Sequence, residues 1–181
     1  MNININPTAL LVLLACVIIG GIITGLFFVV KSIISAIKSR NITKLKFIIA
    51  SVLIVITTTI SWIFNMGWIR FILTFLAVPV VHTTAFIIIS AKSLTYIDKS
   101  VRLKVYVLLY YITYLLGYIF LPDCGDYGPM YTFFGLIHNN AVVSVSFYLS
   151  ALALQGNIVL FILMIIETVK LKKRIPQTKC A

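Results

Sequence analysis

Hydrophobic positions along this chain fall into long unbroken blocks, not the short alternating runs of strands or the one-faced stripes of soluble helices. A membrane-crossing helix needs about 20 mostly apolar residues, with a range of roughly 17–25. Five blocks meet that requirement: residues 8–30, 47–64, 69–90, 105–121 and 141–169. The expected fold is therefore an all-α integral membrane protein, a five-transmembrane-helix bundle forming a single domain over residues 1–181. The last block is too long for one upright crossing, and a single tilted helix accommodates it. Residues 122–140 do not continue the pattern and predict a short outer cap, either interfacial or re-entrant. Pro122 and Pro129 end helices, while Gly125 and Gly128 permit sharp turns.

Polar punctuation between the blocks adds orientation. Of fifteen Lys and Arg, five (Lys31, Lys38, Arg40, Lys44, Lys46) separate the first two blocks. Four more (Lys92, Lys99, Arg102, Lys104) separate the third and fourth, and five (Lys170, Lys172, Lys173, Arg174, Lys179) follow the fifth. Only Arg70 lies on the other side. Cations near helix ends are retained in the cytoplasm, so the expected location is the cell membrane, multi-pass, with the N-terminus outside and the C-terminus cytoplasmic. The first block carries no Lys or Arg before it and is longer than a signal-peptide core, so it reads as a retained helix. Trp62 and Trp68 mark the outer boundary.

Composition agrees with this class. The chain is 61% hydrophobic and 10% charged, against roughly 25% charged residues in soluble domains. Its net charge of +11 follows from the cytoplasmic clusters, which predict contact with anionic headgroups at the cytoplasmic face. Nucleic acid is not an expected partner, because no phosphate loop or base-reading module accompanies the charge. Cys16, Cys124 and Cys180 are scattered and form neither a disulfide framework nor a zinc spacing. No motif names a cofactor.

Candidate chemistry lies in four places. Gly21 and Gly25 open a flat stripe on the first helix, suited to a second copy, a membrane-protein partner or, more simply, another helix of the same chain. His82 stands in the third block beside Pro79, Thr83 and Thr84; an ionisable side chain at that depth is a functional candidate by default. Thr58 on the second helix and Gln155 and Asn157 on the fifth share that depth; with His82 they would either line a polar path or, more simply, serve as interhelical hydrogen-bond partners. In the outer cap, Asp123, Asp126 and His138 supply the ligand types of a divalent-metal or acid–base site. The simpler alternative is a structured turn in which Asp carboxylates bond backbone amides. Tyr106, Tyr110, Tyr114 and Tyr118 recur every four residues and predict a packing stripe with its outer members in the interfacial belt. Glu167 is placed to pair with Lys170.

Three functions follow as expectations. The first is a small non-enzymatic membrane component that acts through helix packing with membrane partners. The second is a small-solute or ion transporter using the midplane polar residues. The third is a membrane-embedded enzyme with an outer-face Asp/His site. Transport requires His82, Gln155 and Asn157 to converge on one cavity; the enzyme requires Asp123, Asp126 and His138 to converge; partner packing requires neither and leaves an exposed small-residue or aromatic groove.

Overall fold

The computed structural model describes residues 7–124 and 129–174. Six α-helices account for most of them: α1 (Pro7–Lys38), α2 (Ile42–Phe64), α3 (Trp68–Phe75), α4 (Val78–Leu94), α5 (Val101–Ile119) and α6 (Asn140–Arg174). Gly125, Asp126, Gly128 and Cys180 lie outside the described residues. Three helices, α1, α2 and α6, are long and apolar enough to cross a membrane, and α3 with α4 make a fourth span if the bent pair counts as one.

The third apolar block is therefore not the continuous helix its hydropathy predicts. It is broken between Phe75 and Val78 with a bend of 69°. Pro79 explains the position. Its nitrogen cannot donate to the preceding turn, and its ring crowds the carbonyl four residues back. The chain restarts instead, with Ala77 in the left-handed region (φ 56°, ψ 14°) and Pro79 in the first turn of α4.

Side chains cap the ends at the basic face of the bundle. Asn41 caps α2, its Oδ1 accepting from Lys44 N at 2.8 Å while Nδ2 donates to Asp98. Ser100 caps α5 by accepting from Leu103 N, and its hydroxyl donates to Glu167 Oε1 at 3.0 Å. Glu167 is thus tied to the start of α5, not to Lys170; the two ion pairs among the described residues are Arg70–Asp123 and Lys104–Asp98. Lys44, although one of the cations between the first two apolar blocks, is buried and donates to Ser35 Oγ at 2.8 Å.

Helix α5 forms the centre. It packs along α6 on one side and α2 on another, while α1 leans chiefly on α4. Its tyrosine stripe is core, not belt. Tyr110, Tyr114 and Tyr118 are buried, and Phe86 of α4 stacks on Tyr114 at 4.1 Å and on Tyr110 at 5.2 Å. Gly117 lets α6 approach, since a Cβ there would stand 2.7 Å from Leu154 Cδ2. Gly21 plays the same part for α1: a Cβ would meet Val80 Cγ1 at 2.7 Å, and Thr84 Oγ1 donates to Gly21 O at 3.2 Å. At Gly25 the neighbour is Ile87. The glycine stripe is thereby occupied by α4 of the same chain.

Candidate functional site

Two polar clusters join in one chain of contacts running from the outer cap into the bundle. The outer one is built on Asp123 and Arg70, both 0% exposed. A helix leaves its first four N–H groups without partners. At α3 these belong to Gly67, Trp68, Ile69 and Arg70, and the cap meets all four. Asp123 Oδ2 accepts from Gly67 N at 3.1 Å and Arg70 N at 2.8 Å; Oδ1 accepts from Ile69 N at 2.9 Å. Trp68 N donates to Cys124 O at 2.9 Å. Oδ1 also takes the amide of Cys124 at 2.8 Å. A carboxylate at a helix N-terminus gains from the dipole as well as from the bonds. Gly67 makes room for it, since a Cβ there would lie 2.6 Å from Asp123 Oδ1.

The Arg70 guanidinium does the complementary work at two helix C-termini. Nη1 donates to Ser61 O of α2 at 2.7 Å; Nη2 donates to Tyr118 O at 3.0 Å and Leu121 O at 2.6 Å at the end of α5. Nε lies 3.9 Å from Asp123 Oδ2, and the guanidinium stands 5.0 Å from the Trp62 ring centroid. Negative carbonyl ends attract the cation, and the planar fork reaches several at once. Trp62 is consequently buried, its Nε1 donating to Thr74 Oγ1 at 2.9 Å, while Trp68 is half exposed.

The cap itself folds back through two antiparallel bridges, Asp123 with Tyr131 and Thr132 with Ile137. Phe133, Phe134 and Gly135 turn the chain with positive φ. Tyr131 OH donates to Met66 O at 2.9 Å. Partial burial raises the Tyr131 phenol pKa, and the nearby Asp123 charge raises it further.

The inner cluster centres on His82. The Asn157 side chain settles its tautomer. Asn157 Nδ2 donates to Tyr110 O at 2.9 Å and Thr113 Oγ1 at 3.0 Å, so the amide oxygen faces His82 Nε2 at 3.0 Å. An amide oxygen only accepts; Nε2 therefore carries the proton. Nδ1 is left to accept from Tyr118 OH at 2.9 Å. Tyr118 links the clusters, because its backbone carbonyl is held by Arg70 while its hydroxyl holds His82. Thr83 and Tyr114 share a further hydroxyl bond at 2.6 Å.

Of the midplane candidates, His82 and Asn157 meet directly and line one cavity of about 500 Å³ with Tyr110. Gln155 does not join them and lies exposed on α6. Thr58 is buried and returns its hydroxyl to Ile54 O and Val55 O of its own helix; it lines a different cavity. Of the cap candidates, Asp123 spends its oxygens on backbone amides and Arg70. His138 is exposed, 5.9 Å from the Tyr131 ring, and Asp126 lies outside the described residues. Among the described residues no three His, Cys, Asp or Glu side chains gather at one point.

Arg70 ties the ends of α2 and α5 to Asp123, yet in the sequence it stands out only as an exception to the charge count. Its signal is present in hindsight: Arg70 is the one cation outside the basic clusters, a cation in so apolar a chain needs a counter-charge, and Asp123 and Asp126 are the two acids that also lie outside those clusters. No known protein family, curated protein or solved structure matches the chain.

Proposed function

We propose that this protein is a five-span, non-enzymatic component of the cell membrane that works through helix contacts with a membrane partner or a second copy of itself. The observation that carries this reading is the state of α1. Only 6% of its most apolar window is buried within the chain, against 28% for α2 and 22% for α6. The small-residue or aromatic groove expected of a partner-binding protein is not what is left exposed, because α4 covers the glycine stripe and Tyr110, Tyr114 and Tyr118 of α5 are buried; what remains is a mainly aliphatic outward face of α1. Ile19, Ile23, Phe27, Val30 and Ile34 fall at helical spacing on it, all exposed. The polar groups at the centre point the same way. His82, Asn157, Asp123 and the Nη groups of Arg70 spend their hydrogen bonds inside the chain, holding the scaffold together.

In this reading α5 is a crossing despite its tyrosines. Its tyrosines face the protein, where Tyr110, Tyr114 and Tyr118 are buried, while Val105, Leu108, Leu109 and Ile112 make up its exposed side and give it an apolar face for lipid. The distribution of Lys and Arg supports an N-terminus outside, a cytoplasmic C-terminus and anionic headgroups around the basic end. Reporter fusions after Arg40, Lys99 and Lys179 should all report cytoplasm; one outside reading among them overturns the orientation.

The test of partnership is photocrosslinking in the native membrane. A crosslinking side chain at Ile23, Phe27 or Ile34 should give discrete protein adducts, and one at Leu53, on the exposed side of α2, should give none. Lipid labelling alone at every position would end the proposal.

A second reading, transport, draws on one observation: His82 and Asn157 share the cavity of about 500 Å³ beside the break that starts α4. If a proton or polar solute passes there, His82→Gln and His82→Leu should both abolish activity while insertion is normal. Survival of activity in His82→Gln removes a proton relay.

A further inference from the structure

A second cavity, of about 490 Å³, lies between α1, α2, α4 and α5, separate from the His82–Asn157 cavity. Its walls carry no Asp, Glu, Lys, Arg or His. They do carry hydroxyls, which would suit a polar solute if they were free. They are not. Ser51, Thr58 and Thr59 donate to carbonyls of their own helix at 2.8, 2.9 and 2.7 Å. Thr84 donates to Gly21 O, and Thr83 is bonded to Tyr114. The hydroxyl hydrogens of Ser51, Thr58, Thr59 and Thr84 are thus spent, so each acceptor that a polar guest brought out of water would go unmet at a cost of about a kcal/mol or more. An apolar guest loses nothing.

The shape narrows the class further. Along α2 the wall extends from Ser51 to Trp62, roughly 16 Å at 1.5 Å per residue. That is about half of the ~30 Å hydrocarbon core of a bilayer. Gly21 and Gly25 seal one side by drawing α1 onto α4, and Tyr114 and Tyr118 close the floor. Ile22 and Leu26 of α1 and Ile56 of α2 line the cavity and are also exposed, so it opens sideways between α1 and α2. An empty apolar space of this size forfeits the dispersion contacts of its walls.

We infer that this cavity is a lipid-chain site: one acyl tail enters sideways between α1 and α2 and ends against Tyr114 and Tyr118. The inference rests on membrane insertion of α1 and α2. It does not depend on the partner assigned to the outward face of α1. The proximity of Tyr118 places the tail next to the residue that links His82 to Arg70.

The chain has two tryptophans, and they serve as separate probes. Trp62 lines the cavity and is 8% exposed; Trp68 is exposed outside it. Trp68→Phe leaves Trp62 as the only indole, and Trp62→Phe leaves Trp68. Each variant is reconstituted into phosphatidylcholine vesicles with plain or chain-brominated tails, because bromine quenches indole emission on contact. The expected result is strong quenching of both. Thr59→Phe or Ile56→Phe, which fill the mouth, should restore Trp62 emission and leave Trp68 quenched. An unquenched Trp62 beside a quenched Trp68 overturns the lipid-chain site while leaving membrane insertion intact. If neither is quenched, insertion itself fails and the site with it. Quenching of Trp62 that survives both filling substitutions also overturns the site.

Discussion

The outer and inner polar clusters solve the same problem with different chemistry. Around Arg70 and Asp123, full charges are buried at 0% exposure and matched to the ends of three helices: a carboxylate on the N-terminus of α3, a guanidinium on the C-termini of α2 and α5. Around His82, neutral groups are matched to one another across α4, α5 and α6. Each charge in the first cluster answers several orphaned backbone groups at once, so losing it exposes all of them. Each bond in the second replaces one that the same helices could partly recover elsewhere in a membrane, and such bonds average about 0.6 kcal/mol. The difference teaches where the fold is fixed. Helix ends near the cap are locked; helix middles are tuned.

The sharpest way to break the comparison is at Asp123. Asp123→Asn keeps the shape but removes the charge facing Arg70 and leaves one oxygen where two accept four amides. The expected loss is about 3–5 kcal/mol, the range for breaking a buried pair, read by unfolding in detergent. Arg70→Met should cost a similar amount. The double variant should cost less than the two single losses combined, because neither charge is left alone. Chelator should not change the melting of the parent protein. A chelator-sensitive parent with insensitive Asp123→Asn would return Asp123, Asp126 and His138 to consideration as a metal site.

A smaller effect is expected where backbones approach. Gly67→Ala drives a Cβ toward Asp123, and Gly117→Ala drives one toward Leu154. Overpacking of this kind costs roughly 1–3 kcal/mol. Gly67→Ala should stand at the upper end, because its neighbours include a fixed carboxylate and not only a flexible leucine tip. Equal losses at the two glycines would argue that the cap yields as readily as the helix interface.

Below these stands His82→Leu, which strands Tyr118 OH and Asn157 Oδ1. About 1 kcal/mol is expected, with His82→Gln intermediate. A loss as large as that of Asp123→Asn would erase the contrast between the clusters. The smallest expected effect is a gain. Ala77 holds a left-handed conformation that costs a non-glycine residue roughly 1–2 kcal/mol, so Ala77→Gly should raise the melting temperature slightly if the break between α3 and α4 is a fixed feature.

Hydropathy alone marks α1, α2 and α6 as helices long and apolar enough to cross a membrane; it places α2 and α6 to within one or two turns and misses the last eight residues of α1, where Lys31 and Lys38 interrupt the apolar run without ending the helix. The basic clusters are read by the same one-dimensional logic, and the orientation drawn from them is the part of the proposal that the reporter fusions test. Single prolines and glycines are legible as punctuation, yet Pro79 reads only as a neighbour of His82 within one apolar block, and the 69° bend before it belongs to the folded chain. His82 and Asn157 are each visible as costly polar residues at depth. Their meeting depends on the rotation of α4 and α6 about α5, which no local pattern encodes; the same rotation leaves Gln155 exposed. Arg70 and Asp123 are separated by more than fifty positions, and their pairing arises because the ends of α2, α3 and α5 converge beneath the cap. Charge neutralisation among buried helix termini is a property of that convergence. It has no periodicity to read, so only the tertiary structure could decide it.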